Sequence, residues 1–316
     1  MTKRRLGQSG MAIPPMVLGG NVFGWTADKQ TSFAILDRFA DAGFSAIDTA
    51  DVYSAWAPGN SGGESESILG EWMASRRRRD TTVVITKVGS EVGPGKKGLS
   101  AAYIAQAADA SLRRLRTDYI DVYLSHRPDP SVPYEETLGA FQQLQVAGKV
   151  REIGASNLDA SQLRAALDVA RDQQLPRYAI LQPEYNLYDR EPFEGGLRAL
   201  TLAEDIDVIT YFSLAQGFLA GKYRDESDLG KSPRGASVKG YLNERGRRIL
   251  EALDDIAAAH HAQPGEVALA WLIAQSGVTA PIASATTVSQ VESLIRSTSL
   301  TLTREELTTL DSASAL

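Results

Sequence analysis

Cysteine is absent from all 316 residues. Disulfides, thiol nucleophiles and thiolate metal sites are therefore excluded. Histidine is scarce, with only His126, His260 and His261 in the chain. The last two are adjacent, point in different directions on a helix and are poorly placed to share one ion, so no metal is expected. Long apolar runs are missing too: nothing approaches the ~18–20 residues that cross a bilayer. The opening MTKRRLGQSG has no apolar segment of the secretory kind. A basic patch is also lacking, since the net charge is −6 with both signs dispersed, which argues against nucleic acid as a partner. The single basic run, Arg76–Arg79, follows the amphipathic Glu64–Ser75 and reads as a solvated helix C-terminus, where cations are favoured. A cytoplasmic protein with no membrane partner is expected.

What is present is a large apolar complement, 43% of residues, enough for a sizeable core. Arg4–Leu6 and Met11–Ile13 flank a turn-rich Gly7–Gly10 and read as a short hairpin. Strand-like and helix-like segments then alternate. Met16–Leu18 precedes Gln30–Ala42, Ala46–Ile47 precedes Glu64–Ala74, and Thr82–Thr86 precedes Ala101–Leu115. Tyr119–Leu124 precedes Tyr134–Ala147, with Gly148 as a natural terminator. Val150–Ala155 precedes Ala160–Arg171, capped by Ser156 or Asn157. Ala179–Leu181 precedes Phe193–Ala203, Val208–Tyr211 precedes Leu242–His260, and Ala280–Ile282 precedes Val288–Ser297. Regular alternation implies a parallel sheet, and eight repeats imply closure into an α/β (β/α)8 TIM barrel. Pro264–Gln275 and Thr303–Ala313 are left over as extra helices. An open doubly wound sheet is the competing reading, but no G-x-G-x-x-G follows the first strand. One domain is expected over 1–316. Two connections exceed what the barrel needs, Val52–Gly63 and Ala215–Lys239, and both follow strands, on the face where barrel sites form.

Four polar residues end apolar runs: Asp48 and Tyr53 in AIDTADVY, Lys87 in TVVITK and His126 in YIDVYLSH. A tyrosine acts as a general acid when its pKa of ~10 is brought toward neutral. A lysine ammonium does this by favouring phenolate, and a carboxylate keeps that lysine charged and oriented. A nearby histidine donates to a substrate oxygen. Each residue alone has an ordinary explanation: a half-buried tyrosine, an Asp satisfying loop amides, a snorkelling lysine, a packed histidine. Their joint position at strand C-termini favours a shared site that protonates a carbonyl oxygen. Nucleophilic catalysis lacks a basis, because Ser156 in EIGASN has no G-x-S-x-G context.

At these residues the sequence resembles the aldo-keto reductase family, and VREIGASN, ILQPEYN and TYFSLAQGFLAGKY extend the likeness across essentially the whole chain. The extended DVYSAWAPGNSGGESE segment resembles the bacterial members grouped with potassium-channel β subunits and general stress proteins. The resemblance implies a barrel that binds NADP(H) or NAD(H) across its mouth and reduces aldehydes or ketones. It further implies a catalytic set of Asp48, Tyr53, Lys87 and His126, with Tyr53 as proton donor. By the same resemblance Ser156, Asn157 and Gln182 hold the nicotinamide amide, and Tyr211 stacks on its ring. Ser213, Leu214, Gly217 and Lys222 contact the pyrophosphate and ribose, and Arg234 closes over the cofactor.

Near the last strand the family's NADPH-preferring members carry a Lys and an Arg, which suit a 2′-phosphate. Here Ser284 and Gln290 stand in those places, and Ser284 and Thr286 offer hydrogen bonds without charge. Weakened NADP preference is the expectation, with Arg234 or Lys239 as alternative sources of charge. Trp25 and Trp56 suggest an aromatic-walled pocket for a carbonyl or sugar substrate, although loop packing explains them equally. The reading is an NAD(P)H-dependent oxidoreductase. The rival is a cofactor-sensing regulatory subunit with little turnover, and a cofactor-free barrel hydrolase or isomerase is a third option. A homo-oligomer is compatible with any of them.

Overall fold

The computed structural model describes residues 2–232 and 235–315. The chain opens on an antiparallel hairpin, β1 (Arg4–Arg5) and β2 (Ala12–Ile13). Parallel strands follow: β3 (Val17–Gly19), β4 (Ala46–Asp48), β5 (Val83–Val88), β6 (Ile120–Ser125), β7 (Val150–Ser156), β8 (Ile180–Gln182), β9 (Asp207–Thr210) and β10 (Ala280–Ala283). They close in the order β10-β3-β4-β5-β6-β7-β8-β9. This is the expected (β/α)8 TIM barrel with an N-terminal hairpin.

The helices are α1 (Lys29–Asp41), α2 (Glu64–Arg76), α3 (Ala101–Leu115), α4 (Tyr134–Val146), α5 (Ala160–Asp172), α6 (Gly196–Ala203), α7 (Gly235–Val238), α8 (Glu244–Ala259), α9 (Pro264–Ala274), α10 (Val288–Ser297) and α11 (Arg304–Ala313). Gly148 follows α4 at φ +72°, a backbone conformation that costs glycine least.

Because successive strand residues face opposite sides, each strand serves two cores. Val17, Ala46, Ile85, Val122, Ile180 and Ile209 fill the barrel interior. Their neighbours Leu18, Ile47, Val84, Tyr123, Leu181 and Val208 pack outward under the helices. Leu6 and Ile13 of the hairpin join the interior cluster. The hairpin is fixed at the N-terminal ends of the strands: Arg4 donates to the carbonyls of Ile273, Val278 and Thr279, and the Gly7 amide donates to Asp207. One end of the barrel is thereby plugged, leaving the other for a site.

Three expectations need correction. The ring position before β10 belongs to α9, not α8. Helix α9 packs on β10 and α10, while α8 lies outside it against α11. Composition explains this, since Gly265–Leu272 is buried all round whereas α8 buries one face. Helix α5 is capped by Asp159, which accepts from the Gln162 amide in a reciprocal box. Ser156 and Asn157 sit too far upstream and bond the barrel mouth instead. Finally, the basic run is not solvated throughout. Arg76 and Arg78 pair with Asp37 and Asp41, but Arg79 turns inward to Asp121 and the carbonyls of Thr82 and Tyr119. Its fork of donors suits that cluster of acceptors at the strand starts.

Candidate active site

The alternation that fills the barrel also builds its mouth. Two residues beyond Ala46 is Asp48, and two beyond Ile85 is Lys87. His126 follows Leu124 by the same step, Gln182 follows Ile180, Tyr211 follows Ile209, and Ser284 follows Ile282. The last apolar layer is thus topped by a polar one on the same inward face. Gly19 occupies that layer in β3, where an added Cβ would lie 2.4 Å from Ser284 Oγ. Its missing side chain keeps the mouth open.

Lys87 is fully buried at the centre of this layer. Its ammonium donates to Asp48 Oδ2 at 2.8 Å, the Thr49 carbonyl at 2.7 Å and the Tyr53 hydroxyl at 2.8 Å. An ammonium has three protons, so every donor is satisfied. Burial pushes the Lys87 pKa down, and the Asp48 carboxylate opposes that shift. Asp48 also accepts from Tyr53 OH at 3.1 Å and from Gln182 Nε2 at 2.8 Å. His126 stands beside Tyr53, with ring centroids 6.1 Å apart. Burial, then the charges of Lys87 and Arg127, hold it well below the usual imidazole range, so it is neutral at pH 7. Its Nδ1 is buried without a hydrogen-bond partner among the described residues, so the ring meets the mouth through its other edge.

A cavity of about 980 Å³ opens over these groups. Asp48, Tyr53, Trp56 and His126 line one side. Ser156, Asn157, Gln182 and Tyr211 continue around the barrel, followed by Ser213, Leu214, Gly217 and Lys222, then Ser284, Thr286 and Gln290. Both long loops contribute, through Trp56 and through Gly217 and Lys222. Trp25 does not line the cavity but meets Trp56 edge-on at 5.8 Å, so it backs the wall rather than forming it. Arg234 lies outside the described residues. Lys239 pairs with Glu226 and does not line the cavity.

Several contacts preset the mouth. Ser156 Oγ donates to the Gln182 carbonyl, Asn157 Nδ2 to the His126 carbonyl, and Tyr211 OH to Asn157 Oδ1. Ser284 donates to Asn21 Oδ1 at 2.6 Å, and Gln290 Oε1 accepts from the Thr286 amide at 2.7 Å. Sequence reading missed Asn21, Arg127 and Glu184 as lining groups. Asn21 and Glu184 each lie two residues beyond an inward position, so continued alternation would have found them. Arg127 carries no such signal. Burial and Asp189 push the Glu184 carboxyl up to about 7.

A closed βα barrel with a carboxylate, lysine, tyrosine and histidine converging at its open end defines the class: a barrel oxidoreductase. The chain belongs to the aldo/keto reductase family, whose sequence profile matches residues 15–315. It is 32% identical over 315 residues to the uncharacterized oxidoreductase YrpG of Bacillus subtilis, covering 97% of this chain and 94% of that one. Similarity to the L-glyceraldehyde 3-phosphate reductase of Escherichia coli is 30% over 321 residues, 98% of this chain and 92% of that one. A probable voltage-gated potassium channel subunit beta of rice is 32% identical over 302 residues, covering 92% and 89% respectively. No described helix is long and apolar enough to cross a membrane.

Proposed function

We propose that this chain is a single-domain, cytoplasmic enzyme that interconverts aldehydes or ketones and alcohols with NAD(P)H, with Tyr53 as the proton donor. The observation that carries the reading is the saturated Lys87 ammonium, whose one bond toward the cavity ends on the Tyr53 hydroxyl. As a phenol proton leaves, negative charge grows on that oxygen, and the fixed N–H dipole of Lys87 stabilises it without reorganisation. Asp48 anchors Lys87, and Gln182 anchors Asp48. Neutral His126, beside Tyr53, is suited to donate a hydrogen bond to the same carbonyl oxygen and so to orient it.

The cavity fits a nicotinamide dinucleotide. Gln182 spends its Nε2 on Asp48, leaving Oε1 for a carboxamide N–H. After β9, Ala215, Gln216 and Gly217 take φ of 46°, 56° and 101°, a curled backbone of the kind that cradles anions. A Cβ on Gly217 would lie 3.2 Å from Lys222 Cε, filling the cradle beside that cation. When bound, the cofactor supplies or takes the hydride. Ser284, Thr286 and Gln290 offer hydroxyls and an amide but no charge, which supports weakened NADP preference and use of NAD.

Tyr53→Phe tests the acid role: turnover should fall by about 10²–10⁴, the usual worth of a positioned acid, while cofactor affinity is kept. Retained turnover refutes it. Similarity to the channel subunit supports the second reading, a cofactor-sensing regulator, which predicts tight cofactor binding without turnover on any carbonyl in a broad screen.

A further inference from the structure

The barrel order divides the cavity. Residues from the ends of β7–β10 form the part suited to the dinucleotide, and those following β4, β5 and β6 form the other part: Tyr53, Trp56, Ser90, His126 and Arg127. Of the charged side chains lining the whole cavity, Asp48 is saturated by Lys87, Tyr53 and Gln182. Glu184 lies on the dinucleotide side beside Tyr211, and Lys222 sits in the loop after β9. Arg127 is the cation of the β4–β6 side. It directly follows His126, it is exposed, and it makes no hydrogen bond or ion pair among the described residues. Other arginines of the chain are committed to carboxylates, as Arg79 is to Asp121 at the strand starts and Arg114 to Glu66.

We propose that Arg127 binds an anionic group on the substrate, so that the carbonyl compounds this enzyme handles best carry a carboxylate or a phosphate. A planar guanidinium recognises either anion with paired N–H donors, and an unpaired one at a cavity wall has its fork free to do so. Trp56 and the Tyr53 ring, 6.0 Å apart, form an apolar wall of the same cavity, which suits the carbon skeleton between carbonyl and anion. The proposal rests on the reductase reading and adds to it the substrate class.

The test compares matched carbonyl pairs in the full-length protein: 4-carboxybenzaldehyde against 4-carbamoylbenzaldehyde, and glycolaldehyde phosphate against glycolaldehyde. The anionic member of at least one pair should have the higher kcat/KM, and the responding pair tells carboxylate from phosphate. In R127M that preference should drop about 10- to 100-fold, the size of a charge-assisted hydrogen bond. R127K, a point charge without the fork, should keep part of it. No preference in either pair, or a ratio that R127M leaves unchanged, overturns the proposal. Calorimetric titration of the cofactor complex with 4-(hydroxymethyl)benzoate and glycerol 3-phosphate, each against an uncharged counterpart, needs no turnover. If no carbonyl is reduced, the reductase reading fails, and loss of anion-selective binding in R127M still decides the role of Arg127.

Discussion

Lys87 and Tyr53 sit 2.8 Å apart, joined by an ammonium-to-phenol hydrogen bond in a site where the lysine is fully buried. The two residues are thirty-four positions apart in sequence and meet because β4 and β5 pair directly, with Asp48 opposite Ile85. Any movement of the lysine is therefore felt at the hydroxyl.

Lys87→Met should lower kcat by about 10²–10³ with a smaller change in KM, since it removes stabilisation of charge that appears only as the proton moves. The substitution also leaves Asp48 buried without its cation, which costs about 3–5 kcal/mol of stability. The double variant Lys87→Met with Asp48→Asn separates the effects. It should recover the melting temperature but not kcat. Steady-state kinetics and thermal melts on the two variants check this, and recovery of kcat would show that Lys87 acts only structurally.

Period-two alternation made much of this legible. Asp48, Lys87 and His126 follow buried apolar residues at the inward spacing, so the strand pattern points to them. Features set by tertiary direction were not legible. Arg79 belongs to a basic run, and only the positions of Asp121 and Tyr119 show that it turns inward. Choosing α9 over α8 for the ring depends on which helix meets β10, although the unbroken apolar character of Val267–Leu272 was a clue. Arg127 and Asp51 lie past strand ends, where the chain leaves the alternation and side-chain direction follows loop geometry.

Cofactor selection should respond to charge at the far end of the cavity. Ser284 and Gln290 are tied to Asn21 and Thr286, and neither supplies a cation. Gln290→Arg should raise the NADPH-to-NADH ratio of kcat/KM by about tenfold, and adding Ser284→Lys should raise it further, as charge-assisted bonds to a phosphate predict. The comparison is made with both cofactors at fixed carbonyl concentration and low salt. An unchanged ratio would show that these positions do not face the adenosine ribose.

Asp51 lies between Asp48 and Tyr53 in sequence, yet both of its carboxyl oxygens are buried without a hydrogen-bond partner among the described residues. Burial, and then the nearby Glu66 carboxylate, push its pKa up to about 8, outweighing the opposite pull of Arg114, of the neighbouring Val52 amide, which is not aligned for a full hydrogen bond, and of Lys87. Glu66 is itself held by Thr86 and Arg114, so it stays a fixed neighbour rather than a partner. The folded state therefore keeps the Asp51 proton to higher pH than the unfolded chain, whose Asp titrates near ~3.9. Below that value the group contributes no pH dependence. Between it and about 8 the unfolded state loses its proton first, so stability falls as pH rises, with a slope approaching about 1.4 kcal/mol per pH unit. Asp51→Asn fixes the neutral form and should remove this slope. Urea melts at pH 5, 6, 7 and 8 should show the variant gaining steadily on the wild type, and parallel curves would show that Asp51 is already ionised in the fold.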